Sequence, residues 1–229
     1  MLYFCPLVKE KQDQRMPLFK TIQVSGTTRI GLWKITESLK ELEDRIVLTR
    51  REQGSYAAFG SESRKKQWLG SRLIVKELMQ TGAIEFCYDE YGKPRLAGHP
   101  GSLSVSHSGD FSAVAFSMDH EVGIDIEKIR DRIVRVQSRF LSSEEESMIG
   151  TESRLEKLYV LWGAKESLYK MIGRPETDLR TEIAIGPFDY LCTGTGKCRA
   201  VYRKTPDDKQ FDIYYEKIGE YMLVYALDS

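Results

Sequence analysis

Residues 122–127 read Val-Gly-Ile-Asp-Ile-Glu, an alternation of apolar and acidic side chains that an extended strand sorts onto two faces. Positions two apart share a face, so Asp125 and Glu127 project together while Ile124 and Ile126 enter a core. Neighbouring carboxylates on an otherwise apolar strand repel each other and lose hydration, a cost most simply relieved by a bound cation. The hexapeptide alone leaves a solvated strand end equally open.

A second patterned segment runs over residues 156–172, closed by Gly173 and Pro175, with apolar residues at helical spacing. At 3.6 residues per turn Leu161, Ala164, Leu168 and Ile172 form the core stripe, which leaves Lys165 inside or beside it, an unusual place for a lysine. Trp162, Glu166 and Lys170 follow at spacing four and line the adjoining face, acid and base within reach of each other. A plain surface Glu–Lys pair with Trp162 in the core would give the same pattern. A third segment, Leu103-Ser-Val-Ser-His-Ser-Gly-Asp110, reads as a strand entering a tight turn. Serines, an imidazole and backbone N–H groups at a turn can hold phosphate oxygens, although a lone histidine is as readily structural.

The rest of the chain supplies the frame. Residues 36–51 read as one helix through Leu39, Leu42, Ile46 and Val47, and residues 64–79 as another, with Ser61 as N-cap and Gly82 as the stop. Strands are expected over 84–88, 103–106, 112–116 and 122–126, then over 182–185, 198–203, 211–216 and 221–226, with a turn at 90–94 and a short helix capped by Ser142. Trp68 and Lys76 recur as Trp162 and Lys170 at a separation of 94, a sign of internal duplication. The expected fold class is α+β: two pseudo-symmetric halves, residues 1–120 and 121–229, each a small antiparallel sheet packed with a long helix, and a ligand cleft between them.

Composition narrows the function. Lys+Arg and Asp+Glu both number 34, so no global charge draws the chain to nucleic acid or an anionic membrane, and any phosphate recognition must be local. The longest apolar runs, 2–5 and 224–227, fall far short of the roughly 20 residues that span a bilayer. The N-terminus lacks a basic stretch followed by a secretory apolar segment, and the expectation is a cytoplasmic protein. Cys5, Cys87, Cys192 and Cys198 are scattered without zinc spacing, and His99, His107 and His120 are too few for a histidine-rich metal site. A hard-metal site made of carboxylates stays open.

Together the segments resemble the 4′-phosphopantetheinyl transferases of the surfactin-synthetase-activating type. In that family a Gly-Lys-Pro turn (Gly92-Lys93-Pro94), a Ser-His-Ser-Gly turn (Ser106-His107-Ser108-Gly109), a Gly-Ile-Asp-Ile-Glu strand (Gly123 to Glu127) and a Trp-x-x-Lys-Glu-Ser-x-x-Lys helix (Trp162 to Lys170) occur in this order. The resemblance covers roughly residues 64–173; the first 60 residues and those after Pro175 match only in general character.

It implies Mg²⁺-dependent transfer of the 4′-phosphopantetheine group of coenzyme A to a serine of an apo acyl or peptidyl carrier protein, with release of adenosine 3′,5′-bisphosphate. By the same matching Asp125, Glu127 and Glu166 would hold Mg²⁺ against the pyrophosphate, a role suited to hard oxygen ligands. Ser106 and His107 would contact phosphate, Lys93 would lie by the adenine, and Lys165 and Lys170 would face the phosphates. Glu166 is the implied general base, and Lys170 would offset charge on the leaving oxygen. The 3′-phosphate falls to a basic residue of the first half: Arg50, Arg51, Lys65, Lys66 and Arg72 are candidates, with Arg51 and Lys66 put forward. Both halves of the site lie in one chain, so a monomer suffices, and no nucleic acid or membrane partner is implied. The rival is a catalytically inactive coenzyme A or nucleotide-binding protein of the same fold. A phosphate loop at Gly194-Thr-Gly-Lys197 lacks the remaining glycine and the Lys-Ser/Thr pattern, and reads as a hairpin turn.

Overall fold

A computed structural model of the protein describes residues 18–80, 84–204 and 208–228; Cys5 and Gly82 lie outside them. The described residues open on two strands that the sequence pattern does not predict, β1 (Lys20–Gln23) and β2 (Thr28–Lys34). On β2 almost every side chain is buried, on both faces, so the polar alternation that marks a surface strand is missing.

The single helix expected over 36–51 is two, α1 (Leu39–Glu43) and α2 (Arg50–Ala57). Each begins at a complete capping box, Ser38 with Glu41 and Thr49 with Glu52, which satisfies N–H groups that would otherwise be left unpaired where the chain restarts. Then follow α3 (Glu62–Met79), β3 (Phe86–Tyr88), β4 (Pro94–Leu96), and the hairpin of β5 (Ser102–Ser108) and β6 (Phe111–Ser117). After β7 (Val122–Lys128) come two 3-10 turns, Asp131–Arg135 and Gln137–Arg139, then α4 (Ser143–Ile149) and α5 (Arg154–Ile172). Strands β8 (Ile183–Ile185), β9 (Thr195–Tyr202), β10 (Lys209–Ile218) and β11 (Tyr221–Leu227) close the chain.

The larger sheets run β1-β2-β6-β5 and β7-β11-β10-β9-β8, antiparallel throughout. Helix α3 covers one through Leu69, Leu73 and Ile74 on Trp33, Val114 and Phe116; α5 covers the other through Leu161, Ala164 and Leu168 on Ile213 and Val224. The inner faces meet through Ile30, Leu32, Ala113 and Ala115 against Ile124, Ile126, Leu223 and Tyr225. The layers are helix, sheet, sheet, helix.

Each half repeats one order: a strand, short capped helices, a long helix, and a hairpin whose second strand returns beside the first. Lys34 stands opposite Phe111 as Lys128 stands opposite Tyr221. Each half also holds a buried ion pair between a capping-box glutamate and the long helix: Arg72 Nε to Glu52 Oε1 at 2.9 Å, and Lys165 Nζ to Glu145 Oε2 at 2.9 Å. These pairs, and Gly70 with Gly163, match one residue short of the 94 separation. Trp68 and Trp162 are therefore not equivalents. Trp68 is buried beneath the Arg72 guanidinium, whereas Trp162 is half-buried at the edge of Phe140.

The sheets also meet edge to edge. The hydroxyls of Ser102, Ser104, Ser106 and Ser108 accept the N–H groups of Val122, Ile124, Ile126 and Lys128 at 3.2, 3.0, 3.2 and 3.1 Å. Four side chains thus do for β7 what a backbone neighbour would do, and every second residue of β5 is committed to the seam.

Candidate active site

The strand alternation places Ile124 and Ile126 in the inner core and turns Asp125 and Glu127 toward α5. A Cβ on Gly123 would overlap the carbonyl oxygen of Ser167, and one on Gly163 would run into Val224, so these glycines let α5 lie close on β7 and β11. The close approach brings Lys170 Nζ to 2.7 Å from Asp125 Oδ1, 3.0 Å from the Ile124 carbonyl and 3.1 Å from Ser106 Oγ.

Asp125 is 4% exposed. Its Oδ1 also accepts from Ser106 Oγ at 2.8 Å, while its Oδ2 is buried without a partner. Glu127 accepts from Ser108 Oγ at 2.8 Å, with Arg132 3.8 Å away. Burial, then Asp125, push the Glu127 carboxyl above the ordinary range against Ser108, Arg132 and Lys170. Burial likewise raises Glu166; Lys170 pulls it down, and Asp125 and Glu127 push it up. The three carboxylates thus lie within reach of one another's charge in a poorly solvated place, with Lys170 and Arg132 the cations against them.

His107 lies in β5, not on the turn, which is made by Gly109 at φ 53. Its imidazole is pushed down to about 4, first by burial and then by Arg64 and Lys170. It is neutral at pH 7. Arg64 Nη1 lies 3.1 Å from His107 Nδ1, and a guanidinium only donates, so Nδ1 accepts and the proton resides on Nε2. Arg64, His107 and Lys170 together form a row of donors across the seam. Arg64 is the residue sequence reasoning missed; it sits 43 positions from His107, and no spacing rule links them.

Other expected site residues stand elsewhere. Lys165 does not face this cluster: it is 0% exposed and donates to Glu145, to the Leu179 carbonyl at 2.8 Å and to the Ile183 carbonyl at 2.6 Å. Its place on the core stripe turns it inward, away from Glu166 beside it. Ser106 is spent on Asp125 and the Ile126 N–H. Lys93 donates to Glu121 Oε2 at 2.5 Å and to the Met171 carbonyl at 2.7 Å, tying the first half to the C-terminal turn of α5. Arg72 is buried against Glu52 and Trp68 and cannot serve a phosphate. Arg50 and Arg51 are exposed on α2, and Lys65 lies over Tyr56. Lys66 pairs with Glu62 at 3.1 Å beside a hollow of about 290 Å³ that also carries Glu37 and Asp110.

Among the described residues no three carboxylate, histidine or cysteine side chains converge as a ready metal-ligand set. Lys170 lies against Asp125, and Glu127 turns to Ser108 and Arg132. The donors still fit a hard dication of the magnesium kind, which is commonly held by one or two carboxylates plus water and phosphate oxygens. Asp125 Oδ2 is unpartnered, and its neighbours are destabilised as anions. No described helix is long and apolar enough to cross a membrane.

Comparison with known proteins points one way. The family model of the 4′-phosphopantetheinyl transferase superfamily matches residues 121–223, from the start of β7 into β11. The 4′-phosphopantetheinyl transferase ffp of Bacillus subtilis is 34% identical over 109 residues, 45% of this chain and 48% of the relative. The transferase AcpT of Escherichia coli (strain K12) is 32% identical over 119 residues, 48% and 59% of the two. The matches thus span about half the length of these relatives. Another 4′-phosphopantetheinyl transferase of Bacillus subtilis is 30% identical over 152 residues, covering 57% of this chain and 67% of the relative. The extent of that last match, with the family model across the strand and helix that carry the carboxylates, means that the chain belongs to the 4′-phosphopantetheinyl transferase superfamily.

Proposed function

We propose that this protein transfers the 4′-phosphopantetheine arm of coenzyme A to a serine hydroxyl of an apo carrier protein, releasing adenosine 3′,5′-bisphosphate. The observation that carries the reading is the meeting of Asp125, Glu127 and Glu166 with Lys170, His107 and Arg64 across one seam. Sheltered carboxylates beside a row of phosphate-seeking donors suit a pyrophosphate and its counter-ion better than a neutral ligand.

In this reading His107 donates from Nε2 to a phosphate oxygen, and Arg64, with its remaining N–H donors, serves the 3′-phosphate in place of Arg51 or Lys66. Mg²⁺, when bound by Asp125, Glu127 and Glu166, would neutralise the pyrophosphate and polarise the phosphorus under attack. The serine oxygen bonds to the phosphorus that bears the pantetheine, and the bond from that phosphorus to the bridging oxygen breaks. Glu166, its carboxyl raised by burial, receives the serine proton, and Lys170 offsets charge on the departing oxygen. Arg64 and His107 come from residues 1–120 and the carboxylates from residues 121–229, so one copy completes the site; the reading is of a cytoplasmic monomer of two halves.

Intact-mass measurement of an apo carrier protein incubated with this protein, coenzyme A and Mg²⁺ tests the reading. One added phosphopantetheine, absent from a carrier whose acceptor serine is alanine, is expected, and excess chelator should abolish it. Coenzyme A binding with no mass gain on any carrier would favour the inactive binding protein.

A further inference from the structure

The seam between the halves carries a second, regular set of bonds. Each hydroxyl of Ser102, Ser104, Ser106 and Ser108 accepts the N–H of the residue 20 positions on, and a hydroxyl that accepts still has its own proton to donate. At three of the four rungs that proton goes to the carboxylate 19 positions on: Ser102 Oγ to Glu121 Oε2, Ser106 Oγ to Asp125 Oδ1 and Ser108 Oγ to Glu127 Oε2, each at 2.8 Å. The constant offsets mean that β5 and β7 run parallel and in step. Ser104 differs because the residue 19 positions on is Gly123, which has no side chain to receive its proton. One rung therefore only joins the strands, whereas its neighbours join them and hold an acid.

The second bond selects one oxygen of each acid. Asp125 Oδ1 also accepts from Lys170 Nζ at 2.7 Å, which leaves Oδ2 buried without a partner. Glu127 Oε2 also faces Arg132 at 3.8 Å, and among the described residues its Oε1 accepts no hydrogen bond. The last torsion of a carboxylate side chain is broad and two-fold, so without a donor either oxygen could turn to the site. A serine oxygen itself held by a strand N–H removes that freedom. Outer-shell hydrogen bonds orient the ligands of a metal ion in the same way.

We propose that Ser106 and Ser108 are positioning residues, which hold one oxygen of Asp125 and of Glu127 so that Asp125 Oδ2 and Glu127 Oε1 are the oxygens offered to a divalent cation. The inference rests on reading these acids as cation ligands, and it gives Ser106 a duty other than the phosphate contact that the family resemblance implies. The two serines are not equal. Without Ser106, Asp125 Oδ1 keeps Lys170; without Ser108, Glu127 Oε2 keeps only the more distant Arg132, so the loss of Ser108 should weigh more.

The test compares Ser108→Ala, Ser106→Ala and Ser108→Thr with Ser104→Ala. Calorimetric titration of Mn²⁺, a dication that takes the same oxygen ligands as Mg²⁺, is run with and without coenzyme A; thermal melts give stability, and transfer over a Mg²⁺ series gives the concentration for half-maximal rate. Ser104→Ala and Ser108→Ala each leave a β7 N–H without its acceptor, and both should melt below the parent. Only Ser108→Ala should weaken Mn²⁺ binding, by about 10-fold or more, with the half-maximal Mg²⁺ concentration rising alike and the rate at saturating Mg²⁺ returning to within a few-fold of the parent. Ser106→Ala should weaken it less. Ser108→Thr keeps the hydroxyl on a residue suited to a strand and should keep the parent's affinity. Equal Mn²⁺ affinity in Ser104→Ala and Ser108→Ala, a loss that threonine does not restore, or a parent that binds no Mn²⁺ would overturn the proposal. Serine-dependent Mn²⁺ binding in a protein that modifies no carrier would uphold the positioning role while removing the proposed transfer.

Discussion

In the first half β2 turns Gly31 and Trp33 toward α3; at the same register from its hairpin partner, β7 turns Asp125 and Glu127 toward α5. On the long helices the residue after the clamping cation is Leu73, buried in the core, in one half and Glu166, half-buried at the seam, in the other. The strand edges differ too: β2 is covered by the backbone of β1, whereas β7 receives serine hydroxyls from β5. One framework thus serves packing in the first half and carries charge in the second. Carboxylates are tolerable on β7 because the first half delivers Ser106, Ser108 and His107 to that edge. At Gly31 a side chain would first meet the apolar Ile74, Leu78 and Leu18.

The strongest way to break this contrast is to remove charge where the second half alone has it. Glu166→Gln keeps size and helix propensity, so the fold should survive while turnover in the proposed transfer falls about 10²- to 10⁴-fold. Coenzyme A binding should persist through Arg64, His107 and Lys170. Single-turnover transfer and calorimetry on the same variant separate the two, and a rate within a few-fold of the parent would remove Glu166 from the chemistry.

The clamps are what the halves share, so breaking either should cost stability. Lys165→Met leaves the Glu145 carboxylate and the Leu179 and Ile183 carbonyls short of a buried donor, and Arg72→Met leaves Glu52; each should lose about 3–5 kcal/mol in chemical denaturation. Only Lys165→Met should also depress the turnover of the folded fraction, because Glu166 is its neighbour. A Lys165→Met protein as stable as the parent would return Lys165 to the phosphate-facing place that the family resemblance implies.

Period-two and period-3.6 patterns were legible wherever one residue's environment decided its role. Asp125 and Glu127 share a face, and Trp162, Glu166 and Lys170 line the helix side beside the core, as their spacing requires. What escaped was settled by a distant partner. The β5 serines read as phosphate ligands because nothing local shows that each hydroxyl faces an N–H of β7. Lys165 was visible as an oddity on the core stripe, but its partner Glu145 belongs to another helix. Thr49-Arg-Arg-Glu52 is a capping-box signal that would have divided the helix expected over 36–51.

The glycines sharpen the comparison at smaller scale. Alanine at Gly123 would strike the Ser167 backbone carbonyl, which can move only with α5, and about 1–3 kcal/mol should be lost along with coenzyme A affinity as Lys170 shifts. Alanine at Gly31 would strike the Cγ2 of Ile74, a side-chain atom and not backbone, and should cost less. Equal destabilisation, measured by thermal melts of both variants, would mean that the two helices sit on their sheets with the same freedom.

The smallest effect concerns the one imidazole at the seam. Folding takes His107 from an ordinary value of 6.5 to about 4, so the folded protein refuses a proton that the unfolded chain accepts. Stability from this source is complete above pH 6.5, declines as pH falls below it, and levels off near pH 4. The loss is at most about 1.4 kcal/mol per pH unit, and smaller here because the ring keeps some contact with water. Glu127 and Glu166 act in the opposite sense, since their raised carboxyls take up protons in the folded state before the unfolded chain does. The measurement is therefore a difference: His107→Gln keeps a donor but cannot titrate, and its stability relative to the parent should rise as denaturation is repeated at pH 7, 6 and 5. Parallel profiles would show that burial and Arg64 do not hold the ring neutral. If a phosphate of the ligand sits on Nε2, saturating adenosine 3′,5′-bisphosphate should favour the charged ring and flatten the parent's profile toward that of the variant.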